Sequence, residues 1–157
     1  MSCDGPSRRA FLRQGGCGLF TLAAFGLGLT EPLPVFALEG TAAGDERTYP
    51  IPASDGVNID RSAQIIVVRY QGHAYAFALA CPHEQAAVKW VAKDGRFQCT
   101  KHDSRYTPAG VYTEGRATRN LDRYPVRRDG TSMVVTTDHV FRSDQDTAAW
   151  SAAAIEV

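Results

Sequence analysis

Residues 48–157 of this 157-residue chain predict a small all-β domain. Three observations carry the expectation. Apolar residues come in short runs rich in Ile and Val, the runs are separated by Gln-Gly and Asp-Gly turn pairs, and no long stretch repeats its apolar positions at a helical period. Internal repeats and low-complexity tracts are absent from the sequence, so the chain has room for one domain and an extension.

Residues 1–37 form the extension. Arg8, Arg9 and Arg13 precede an apolar run over residues 15–30, Glu31-Pro32-Leu33-Pro34 breaks it, and Val35-Phe36-Ala37 offers a small-residue cleavage signal. The run falls short of the roughly 20 residues that a spanning helix needs. Gly15, Gly16, Gly18, Gly26 and Gly28 weaken it further as a helix. Removal after Ala37 is therefore favoured over retention as a membrane anchor, and both stay open. Ser7-Arg8-Arg9-Ala10-Phe11-Leu12 resembles the consensus of twin-arginine export signals. The resemblance implies export of a folded, cofactor-loaded protein to the periplasm or the periplasmic face of the cytoplasmic membrane.

Residues 38–47 are small and polar and read as a flexible linker. Beyond them, residues 64–69 and 74–80 flank Gln71-Gly72 as a hairpin that delivers Cys81 at the end of its second strand. Asp94-Gly95 turns the chain into residues 96–99, and Asp129-Gly130 joins 123–128 to 132–137 in a further hairpin. One short helix is expected over 146–154, with Asp146 as N-cap and Trp150 on its buried side. His73, beside a turn, and His139, near a strand end, read as surface residues. The arginines between 116 and 128 read as a solvated face rather than a docking patch for an acidic partner.

With 17 basic and 17 acidic side chains, the chain lacks the positive excess that a nucleic-acid partner demands. Cys3 and Cys17 lie in the extension, which leaves Cys81 and Cys99 in the body. A single disulfide between them is the plainest reading for an exported domain. It leaves unexplained why each has a histidine so close.

Those neighbours are the most informative residues in the chain. Cys81-Pro82-His83 and Cys99-Thr100-Lys101-His102 form two Cys-His pairs separated by residues 84–98. The arrangement resembles the Rieske iron–sulfur family, in which two thiolates hold one iron of a [2Fe–2S] cluster and two imidazoles hold the other. The resemblance implies a small antiparallel β-sandwich over 48–157, topped by a cluster-binding subdomain of two loops within 81–117. It assigns Cys81, His83, Cys99 and His102 as ligands of one [2Fe–2S] cluster and one-electron transfer as the chemistry. Two thiolates neutralise the core of such a cluster, whereas four would leave a dianion, so histidine ligation eases electron uptake. Potentials of such centres run from roughly −150 to +300 mV, against about −400 mV for plant-type clusters. The ring nitrogen not used for ligation keeps a proton, which makes proton-coupled transfer from a hydroquinone reasonable.

The resemblance extends past His102. Ser104 and Tyr106 match the His-x-Ser-x-Tyr pattern of high-potential members, where the serine donates to a bridging sulfide and the tyrosine to a ligand sulfur. Residues 115–121 resemble the segment that covers the cluster, with Arg116 in place of a proline. Quinol-oxidising members brace the loops with an extra disulfide at positions that hold Ala86 and Lys101 here, and Asp103 replaces a usual glycine. The loops are then held by packing, with Trp90 and Phe97 as candidates.

The same four ligands suit zinc, and a zinc-stabilised interaction module is the non-redox alternative. Zinc fingers, however, pair like ligands with like, and this chain alternates them. After His102 only His139 remains, too few for the mononuclear iron of a Rieske oxygenase. The resemblance implies an electron-transfer subunit with no catalytic site of its own. The leading expectation is the iron–sulfur subunit of a quinol-oxidising, cytochrome bc-like complex, between a cytochrome b partner and a cytochrome c. The alternatives are the small subunit beside the molybdopterin subunit of an exported molybdenum oxidoreductase of the arsenite oxidase kind, and a stand-alone periplasmic carrier.

Overall fold

A run of four buried β-branched residues organises the architecture of this protein, seen in a computed structural model that describes residues 33–36 and 40–157. Ile65, Ile66, Val67 and Val68 are all without exposed surface, in a strand where successive side chains point to opposite faces. That strand must therefore lie between two cores. The first half of the described chain folds as β1 (Thr41–Ala43), β2 (Glu46–Pro50), β3 (Gly56–Asp60), β4 (Ile65–Tyr70), β5 (His73–Ala78) and β6 (Val88–Val91). The second half supplies β7 (Arg96–Cys99), β8 (Arg105–Tyr106), β9 (Tyr112–Glu114), β10 (Val126–Asp129), β11 (Ser132–Thr136), α1 (Thr147–Ala152) and β12 (Ile155–Glu156).

These strands form three four-stranded sheets, ordered β1-β2-β11-β10, β12-β5-β4-β3 and β6-β7-β8-β9. Every pairing between these strands is antiparallel. Ile65 and Val67 join Tyr49, Ala76, Met133 and Val135 in the core against the first sheet. Ile66 and Val68 join Phe77, Leu79, Phe97, Tyr106 and both cysteines in the core against the third. The β12-β5-β4-β3 sheet is thus the middle layer. Each buried Ile or Val contributes about 1.5–3 kcal/mol, and a one-residue slip of β4 would exchange its two sets, so register is firmly specified.

The all-β expectation holds, with corrections in detail. Residues 41–50, which overlap the expected linker, contain β1 and β2, and β2 pairs along its length with β11. Among the β2 side chains only Tyr49 is buried, so the segment has no apolar alternation to read. The last hairpin starts at Val126 rather than at 123. The helix covers a shorter span than 146–154, and Asp146 sits at its N-cap position without capping it through its side chain. Trp150 is buried as expected, and its indole N–H donates to Leu121 O at 2.7 Å. The twin-arginine stretch and the apolar run lie outside the described residues. Among the described residues, no helix is long and apolar enough to cross a membrane.

Arg123 corrects the reading of residues 116–128 as a solvated face. Its guanidinium is buried, 3.7 Å from the Trp150 ring centroid and 4.6 Å from that of Tyr75. It donates to Trp150 O and to Ala109 O, both at 2.9 Å. Burial pushes its pKa down to about 10, still well above neutral pH. Arg119 is bound to Asp122 and lies near Asp144, while Arg116, Arg127 and Arg128 are exposed as expected.

Candidate metal centre

Two short loops at one end of the third sheet bring the Cys-His pairs together. The first follows β5, where Leu79 and Val88 pair through Val88 N–H and Leu79 O at 2.9 Å, and Ala80 bridges Ala87. Residues 81–86 then close on themselves. Cys81 N–H donates to Ala86 O at 2.7 Å and Gln85 N–H to Cys81 O at 2.9 Å, which leaves His83 at the tip. The second loop starts at the end of β7, where Cys99 pairs with Val88. It closes through Cys99 N–H to Ser104 O at 2.9 Å, with His102 between.

The loops are stitched at their bases. Thr100 donates to Ala87 O through both its N–H, at 2.9 Å, and its hydroxyl, at 2.8 Å. At the tips Lys101 Nζ meets Glu84 Oε2 at 3.2 Å, and the same oxygen lies 3.7 Å from His102 Nε2. The Lys101 hydrogen bond, with both histidines nearby, holds the Glu84 carboxyl below its ordinary value. Trp90 meets Phe97 edge-on at 4.8 Å beneath the second loop. Sequence reasoning reached Trp90 and Phe97 but missed Glu84 and Thr100.

Cys81 and Cys99 are buried and free, so the disulfide alternative is not what their geometry gives. The half-buried imidazoles of His83 and His102 lie at 81° to each other, their Nδ1 atoms 3.3 Å apart. The Tyr106 hydroxyl is 3.2 Å from Cys81 Sγ. Burial and this thiol hold the phenol well above its ordinary value, so it stays protonated as a donor. Ser104 is fully buried, and its oxygen accepts the N–H groups of Arg116 at 3.1 Å and Ala117 at 2.9 Å. The approach is close because residue 115 is glycine: its φ is +107°, and a Cβ there would overlap the Ser104 backbone. A proline in place of Arg116 lacks the N–H that Ser104 receives here.

Cys81, Cys99, Ser104 and Tyr106 thus share one core, His83 and His102 meet at the loop tips, and among the described residues the ligand atoms that lie within 4.8 Å of one another are those of His83, Glu84 and His102. Cys81, Cys99, Ser104 and Tyr106 are buried, and His83 and His102 lie nearer the surface. His73 and His139 are exposed, as expected, and His139 is 2.5 Å from Asp138. Two unpaired buried thiols and two converging imidazoles fit a mixed sulfur and nitrogen donor set, which is the ligand chemistry of a histidine-bound [2Fe–2S] cluster.

The comparison with protein families agrees with that chemistry. The family model described as Rieske [2Fe-2S] domain matches residues 46–125. No curated protein matches the chain. Among solved structures, the chain is similar to the cyanobacterial plasma membrane Rieske protein PetC3 from Synechocystis PCC 6803, at 23% identity and a TM-score of 0.43. The match covers 64% of this chain and 98% of that one.

Proposed function

Because the chain belongs to the Rieske [2Fe–2S] domain family, and so is an electron-transfer protein with one Rieske-type cluster, we propose that Cys81 and Cys99 hold one iron and His83 and His102 the other. When bound, the cluster supplies reversible one-electron chemistry at a potential far above that of an all-thiolate centre. The observation that carries the assignment is a pair of free buried thiols, each followed within three residues by a histidine, with the Nδ1 atoms of those two histidines 3.3 Å apart.

Each of the chain's own groups then has a task. Cys81 and Cys99 present sulfur on the inner side, where burial keeps water from it. His83 and His102, whose Nδ1 atoms lie 3.3 Å apart, would ligate through Nδ1 and leave Nε2 to carry the remaining ring proton. The Tyr106 hydroxyl would donate to Cys81 Sγ, and Ser104, its oxygen already accepting two amides, hydrogen-bonds Tyr106 with its own hydroxyl and so strengthens that donor. Both donors favour added negative charge and raise the potential.

A raised potential, outward imidazole protons and an export leader together favour one physiological role. The protein is the iron–sulfur subunit of a quinol-oxidising, cytochrome bc-like complex in the bacterial envelope, with a cytochrome c as acceptor. Iron and acid-labile sulfide, measured on the purified chain, test the centre itself. The Rieske electron paramagnetic resonance signal is expected in the native protein and absent from His83→Ala and His102→Ala; its survival in either overturns the ligand set. Co-purification with a cytochrome b is expected, and a molybdenum subunit in its place overturns the role in a cytochrome bc-like complex.

A further inference from the structure

Residues 33–36 are built into the domain. β3 is the outer strand of the middle sheet, yet Val57 within it has no exposed surface. Its cover is a parallel bridge with Val35: Val57 N–H donates to Pro34 O at 2.7 Å, and Phe36 N–H donates to Val57 O at 2.9 Å. Pro34 suits such an edge, where only its carbonyl is needed. The Phe36 ring lies over Gly56, where a Cβ would overlap it, so this glycine makes room for the segment.

The contact reaches the metal-binding loops. Leu33 packs on the core that holds both cysteines, and its carbonyl accepts the Trp90 indole N–H at 3.2 Å. Trp90 presses on Phe97, which shares β7 with Cys99. Cutting the chain after Ala37 would release all four residues. Val57 N–H and C=O and the Trp90 indole would lose their protein partners, and β3 would become an open edge, costly for buried groups and prone to pairing with other chains.

We propose that residues 33–36 are a permanent edge of the mature domain, so that the chain is not processed after Ala37 and any cut that frees the leader falls before Leu33. Val35 and Phe36 of the small-residue signal are thus structural residues, and the signal is not a cleavage site.

Two measurements on the full chain test this. N-terminal sequencing and intact mass of the exported protein should show a first residue at or before Leu33; a chain that begins at Leu38 overturns the proposal. This measurement rests on the export proposed above, and the second does not. Phe36→Ala should lower the thermal unfolding midpoint by about 5 °C. Val35→Ala, at a side chain 60% exposed, should shift it by about 2 °C or less. A Phe36→Ala midpoint equal to wild type overturns the proposal as well. A protein retained unprocessed in the cytoplasm counts against export alone, and the variants then decide.

Discussion

The Tyr106 hydroxyl is buried 3.2 Å from Cys81 Sγ, where it would donate to that sulfur in the proposed cluster site. Tyr106→Phe should therefore lower the midpoint potential by about 40 mV, the equivalent of one net hydrogen bond of about 1 kcal/mol; redox titration that finds no change removes the role. Ser104→Ala should read out twice. It lowers the potential, and it leaves the amides of Arg116 and Ala117 without their acceptor. Denaturant unfolding should show a loss of about 1–3 kcal/mol from that second effect. The six candidate residues stand out in the sequence because their spacing is local: each Cys-His pair spans a few positions, and Ser104 and Tyr106 follow His102 closely. Glu84 and Thr100 carry no such mark. Their partners Lys101 and Ala87 stand across the residues between the loops, and only the folded hairpin of β6 and β7 brings them together. Arg123 misled for a related reason, since its ring partners come from β5 and α1.

Hairpins with turn signals were readable, and strands without them were not. Gln71-Gly72 marks β4 and β5 plainly, whereas β8 has two residues, too few to display a period. β1 and β2 were hidden because one is short and the other buries a single side chain. That side chain, Tyr49, ties two sheets: its hydroxyl donates to Asp60 Oδ2 at 2.8 Å, from β2 to the end of β3. The other oxygen of Asp60 accepts the Ser62 N–H and hydroxyl and the Ala63 N–H, which closes the turn into β4. Partial burial pushes the Asp60 carboxyl up, but these hydrogen bonds outweigh it and hold the group below its ordinary 3.8. A carboxyl depressed in the folded state stabilises fully above its unfolded pKa and loses that contribution as pH falls through the folded value. Asp60→Asn should thus cost about 1–2 kcal/mol at neutral pH. The gap from wild type should close as pH drops below 3.8. A gap that stays constant down to the acid unfolding range would show that the charge contributes nothing.

Taken as one object, the chain has balanced charge and, among the described residues, no disulfide. Its body is held by two apolar cores that share β4, and the ligand loops rest on one of them. Such a domain needs no disulfide among the described residues to complete its fold, which suits the proposed twin-arginine route for a folded protein. Changing Arg8 and Arg9 together to Lys should leave the protein in the cytoplasmic fraction with its cluster intact, read by fractionation and paramagnetic resonance. Periplasmic protein in normal amount would mean another route. The proposed leader rests on contiguous arginines and an apolar run, whereas the contacts that tie residues 33–36 to the domain come from a strand and an indole far along the chain, which no local pattern displays.

The way the two loops are joined also makes one side of the proposed site more open than the other. Thr100 sews them together at the bottom, through backbone and a short side chain, while the rim is spanned by an exposed Lys101–Glu84 contact that parts at little cost. Sulfur sits at the floor and imidazole at the mouth, where the His83 and His102 side chains are 27% and 15% exposed. For the cluster proposed above, the histidine side is thus the more open one, and attack by chelators or oxidants is expected to begin there.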